Sequence, residues 1–193
     1  MAEEHARDPI ELVVTSPLRR AIDTASYALG EIPPDEAPKS RLAHPLVAER
    51  RYLSSDVGTK RAELAEDYAE HTSLDMLGPD EWWWRAEAEA EAAADALRAR
   101  RRDEKGTEPI SPAEIFDDGL RTRLDFEPEA EFIRRMGAFR SWLVARPERR
   151  ILVVAHWGVW YSLLDQKDMA NCELVRCAED ALVEGDRLKA PPP

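Results

Sequence analysis

Two short runs do most to limit what this chain can fold into. Glu11 to Thr15 (ELVVT) and Arg150 to Ala155 (RILVVA) are aliphatic stretches of strand length, each bounded by polar residues. A strand with one wet face alternates apolar and polar residues, so an unbroken run predicts cover on both faces, as in a parallel sheet between helices. Each run leads directly into a helix signal. After the first, Ser16 can cap and Pro17 suits the first helical position. Leu18, Ala21, Ile22, Ala25 and Leu29 then keep helical spacing until Gly30 and the prolines beyond it. After the second come His156, Trp157 and Gly158.

Helices are also predicted over Lys60 to Ala69 and Glu127 to Arg146. From Pro79, the stretch PDEWWWRAEAEAEAAADALRARRR predicts one long helix with Asp80 as its cap. Pro33 to Ser40 reads as a loop and Gly106 to Gly119 as a proline-containing linker. The order strand-helix, helices, helix-strand-helix predicts an α/β fold: a three-layer sandwich whose mainly parallel sheet is flanked by helices. With 193 residues, 44% of them hydrophobic, the chain can bury one substantial core, so a single domain is expected over 1–189. Ala190 to Pro193 is expected to be a disordered tail.

A net charge of −12 argues against general attraction to nucleic acid or an anionic membrane surface, so any anion site must be local. The aromatic run Trp82 to Trp84 is expected to dock a helix on the core, and the basic patch Arg98 to Arg102 to be a solvated helix end. No run is long and apolar enough for a membrane span. Cys172 and Cys177 have no ligand-like neighbours at metal spacing, and both are expected to be small buried apolar residues. These features predict a cytoplasmic protein without metal or cofactor.

Ligands of open parallel sheets bind beyond the carboxyl ends of the strands, where loops enter helices. That rule singles out Ser16 to Arg20 and His156 to Gly158, which become neighbours if their strands pair. Free N–H groups at the Ser16 corner and the guanidinium fork of Arg20 suit a phosphate or carboxylate. The alternative stays open at this point: Ser16 is only a cap, both arginines are solvated, and His156 is a satisfied boundary histidine.

Three separated segments, VVTSPLRRAIDTA, LVAERRYLSSDVGTKR and ILVVAHWGVWYSLL, together resemble the phosphoglycerate mutase-like family of the histidine phosphatase superfamily. MANCELV, at Met169 to Val175, resembles a further segment that forms a late strand of the sheet in plant, fungal and protist members. The resemblance runs from Ile10 to Val183 apart from the Trp/Ala/Glu-rich middle. It implies two-step phosphoryl transfer: a histidine attacks phosphorus, arginines and a second histidine hold the oxygens, and an acid protonates the leaving oxygen. Matched by position, Arg20 is a phosphate-binding arginine with Ser16 beside it, His156 the second histidine, and Glu49 the acid. Arg50, Lys60 and Trp157 are the expected substrate contacts, the ligand being a phosphorylated small molecule.

The match departs from the family at its front. The superfamily's Arg-His-Gly triplet, which ends its first strand and supplies the nucleophile, occurs nowhere in these 193 residues. His5, His44 and His71 lack its context, and Leu53, Ser54 and Thr59 replace other family residues. The sheet is therefore expected to lack its first strand. Two functions remain: an enzyme of which this is an inactive, incomplete version, or a catalytically silent phosphate-binding or regulatory protein.

Overall fold

The structure is a computed structural model that describes residues 9–30, 32, 37–38, 40–52, 54–56, 58–78, 127–183 and 187–191. The expected long helix from Pro79, the Trp82 to Trp84 cluster, the Arg98 to Arg102 patch and the Gly106 to Gly119 linker lie outside them.

Three strands, β1 (Leu12–Thr15), β2 (Arg41–Ala43) and β3 (Ile151–Val154), form a parallel sheet in the order β2-β1-β3. Four helices flank it: α1 (Arg19–Leu29), α2 (Arg61–Tyr68), α3 (Glu129–Val144) and α4 (Trp157–Leu163). The predicted α/β sandwich is what forms. In the register, Leu12 stands opposite Ile151 and Thr15 opposite both Val154 and Ala43.

The sheet alternates its contacts between two layers, as the period of a strand requires. Leu12 and Val14 pack with Phe132, Met136 and Phe139 of α3 and Val159 and Leu163 of α4, and Ile151 and Val153 join that face. Val13 packs on the opposite face with Ala25 and Leu29 of α1, where Leu152 and Val154 join it. Helix α2 closes a smaller cluster, Leu64 and Tyr68 meeting Ile22 and Ala43. Each fully buried aliphatic side chain in these layers contributes about 1.5–3 kcal/mol.

The two edges of the sheet differ. Ser73 closes the outer edge of β2, donating its N–H to the Arg41 carbonyl at 2.9 Å and accepting from Ala43 N–H at 2.9 Å. β3 is the other edge strand, and all four of its residues are half-buried, whereas β1 is buried throughout.

Several sequence expectations are corrected. Helix α1 begins at Arg19 with Leu18 as its N-cap, not at Ser16 and Pro17, because the Ser16 hydroxyl is held by the Leu18 N–H and by His156. Met169 to Val175 forms no strand; a groove separates this stretch from β3, so it has no backbone to pair with. Cys172 and Cys177 lie in that irregular stretch and are exposed rather than buried. Ala190 and Pro191, assigned to a disordered tail, are packed: Pro191 is buried and its carbonyl accepts from Arg50 Nη1 at 2.9 Å and Tyr52 Oη at 2.8 Å.

Candidate functional site

β1 and β3 end side by side, and the polar residues that follow them meet. The Ser16 N–H donates to the Val154 carbonyl at 2.9 Å, extending the pairing one step past the strands. Ser16 Oγ then lies 2.7 Å from His156 Nε2 and accepts from the Leu18 N–H at 3.2 Å. Both side chains are enclosed, Ser16 at 0% and His156 at 8% exposure. Burial, with the positive charges of Arg20 and Arg135, pushes the His156 imidazole down to about 3. The ring is neutral at physiological pH, with one nitrogen to donate and one to accept.

Glu49 is carried to the same place by the loop after β2. Its carboxylate accepts from the Arg50 N–H at 2.8 Å and from the N–H of Gly158, two residues past His156. A Cβ built on Gly158 would lie 2.5 Å from Glu49 Oε1, so only glycine leaves room for this approach. Burial raises the Glu49 pKa, and the Asp56 carboxylate adds to the rise, against the two N–H groups and Arg20. The environment thus favours the protonated acid, the form a proton donor needs.

Arg20 reaches the rim of the site from the first turn of α1. Its guanidinium is held by the Ser55 carbonyl and, at 3.0 Å, by Asp56 Oδ1, with 45% of the side chain exposed. Arg19 points elsewhere, to Asp67 and to Thr59 Oγ1. Of the two adjacent arginines, Arg20 is the one whose charge acts on both His156 and Glu49.

The remaining expected contacts stand in other settings. Arg50 is buried, its Nε donating to the Glu127 carbonyl at 3.3 Å and its guanidinium lying 4.7 Å over the Tyr52 ring. Lys60 is the half-buried N-cap of α2. Trp157, 39% exposed, donates its indole N–H to Asp168 Oδ1 at 2.8 Å and packs against Tyr161.

Sequence reasoning missed two residues. Arg135, on the buried face of α3, forks onto Glu127 at 2.7 and 2.6 Å, while its Nη1 donates to the carbonyls of Leu46 and Ala48 at 2.7 and 2.8 Å. It ties the Glu49 loop to α3. His44 follows β2 as His156 follows β3; it is 2% exposed and pushed down by burial to about 4. Its Nδ1 accepts from the Leu46 N–H at 3.2 Å, its ring meets Phe139 and Trp142, and its Nε2 finds no hydrogen-bond partner among the described residues. The signal for His44 was positional: it stands directly after a strand.

Among the described residues no three His, Cys, Asp or Glu side chains gather as a metal-binding group. No described helix is long and apolar enough to cross a membrane. Comparison with family models, with curated proteins and with solved structures finds no match to the chain.

Proposed function

We propose that the chain binds a small phosphomonoester at the carboxyl ends of β1 and β3, as the pocket of a phosphoglycerate mutase-like histidine phosphatase. The observation that carries this reading is the 2.7 Å contact of His156 Nε2 with Ser16 Oγ. It joins two segments 140 residues apart at the edge where parallel sheets bind ligands. Arg20 supplies the positive charge for the phosphate oxygens, exchanging part of its hold on Asp56 and Ser55 for the ligand. Neutral His156 donates one hydrogen bond to an oxygen, and Glu49, whose setting favours its acid form, protonates the leaving oxygen.

In the full reaction a nucleophilic histidine forms a phosphohistidine that water then cleaves. No such histidine belongs to the described site, so the chain by itself binds and does not turn over. The same absence favours the second reading, a silent phosphate-binding or regulatory protein in the cytoplasm.

Thermal unfolding with phosphate or vanadate tests the pocket. Millimolar ligand should raise Tm, and Arg20→Ala should erase the rise; an unchanged Tm in the parent chain overturns the proposal. For turnover, the chain should leave an aryl phosphate intact. Hydrolysis that His156→Ala abolishes would overturn the claim that it is inactive.

A further inference from the structure

A groove of about 650 Å³ runs along the outer side of β3. Ile151, Leu152 and Val153 form one wall, and the irregular stretch from Glu173 to Glu179 contributes Leu174 and Val175. Leu174 is 55% exposed, one of the few large apolar side chains left in solvent. Natural edge strands are guarded by charge, proline, a bulge or a covering segment, because their unpaired N–H and C=O groups invite another strand. The residues ILVV of β3 carry no such guard, whereas Ser73 closes the opposite edge of the sheet.

We infer that this groove seats one further β-strand, an extended aliphatic peptide contributed by another polypeptide. Three observations select that occupant. The edge offers backbone hydrogen bonds in a row, which an extended chain satisfies and a helix does not. β3's four residues span roughly 13 Å at the usual rise, so a strand of similar length fills the row. The stretch from Glu173 and the turn from Arg146 to Arg150 line the same groove, leaving an entrance suited to a single strand and not to a second copy bringing its own helices.

The chemistry of the strand follows from the layers. Ile151 and Val153 are covered by the α3 and α4 face, Leu152 and Val154 by the α1 face. A neighbour continuing the sheet is covered on both sides too, so its residues are aliphatic without interruption, not alternating with polar ones. This inference rests on the sheet edge alone and stands apart from the phosphate reading.

Two soluble peptides with identical lysine flanks test it, one with the core Val-Ile-Val-Val, the other Val-Lys-Val-Lys. Amide hydrogen exchange of Ile151 to Val154 is followed in the full chain with each. The continuous peptide should slow β3 exchange by about tenfold or more and raise Tm, and the alternating one should do neither. Leu174→Lys, a change at an exposed site that leaves folding intact, should weaken the protection. Equal effects of both peptides, or unchanged β3 exchange at saturating peptide, overturn the inference. So does β3 protection that appears without peptide and grows with protein concentration, since a second copy would then be the occupant.

Discussion

β1 and β3 carry almost the same residues, LVVT and ILVV, pair with each other along their whole length, and end in different surroundings. β1 has a strand on each side and is sealed, Leu12, Val13 and Val14 all at 0% exposure. β3 has a strand on one side, and every residue in it is half-buried. Both faces of both strands are covered by helices, so the difference lies wholly at the edge. An aliphatic pattern reports how many faces of a strand are covered and is silent on how many neighbours it has.

The sharpest way to break the comparison acts at the strand ends, where β1 delivers a serine to the interior while β2 and β3 deliver histidines. His44 and His156 are held neutral, at about 4 and about 3 against the ordinary 6.5. Below 6.5 the unfolded chain takes up protons that the folded chain refuses, so stability falls as pH drops through that window and is constant above it. The slope is about 1.4 kcal/mol per pH unit for each histidine. Glu49, with its raised value, acts in the opposite sense, withdrawing stability as pH climbs through that value. Denaturant titrations between pH 4 and pH 7 should show a steep acid loss that His156→Asn makes shallower by one histidine's share.

A direct comparison of the strands comes next in size. Leu12→Ala should cost about 3 kcal/mol, as a sealed leucine does, and Leu152→Ala about 1 kcal/mol, because solvent already reaches β3 and refills the space. Equal losses in urea denaturation would mean that β3 is as enclosed as β1. The smallest expected effect tests the end of β3: Gly158→Ala sets a methyl against Glu49 Oε1 and Pro191 Cγ, for a cost of about 1–2 kcal/mol. Displacing the carboxylate should also lower the Glu49 pKa, which carboxyl NMR titration reads.

The sequence made the sheet core legible because unbroken aliphatic runs have few other uses. β1, β3 and their parallel pairing could be anticipated to within a residue or two, as could α2 and α3. β2 could not, since three residues led by Arg41 carry no pattern, and the strand exists through its bonds to β1 and Ser73. The site was half legible. Ser16 and His156 were exposed by the rule that ligands meet strand ends, and Glu49 by resemblance. Arg135 was invisible: within EFIRRM it reads as a solvated helix residue, and the carbonyls of Leu46 and Ala48 that hold it come from a distant loop. His44 was set aside for its local context, yet β2 delivers it to the interior as β3 delivers His156.

The pairing of β1 with β3 also sets an order of events at the ribosome. Glu11 and Arg150, which clasp each other beside the first rungs of the ladder, are 139 positions apart. At ordinary elongation rates the earlier strand therefore waits on the order of ten seconds before its partner exists. For that interval LVVT can pair only with the short β2, its other flank open to whatever passes. The nascent chain should depend on a holding chaperone until Val154 has emerged, and depend on it far less afterward.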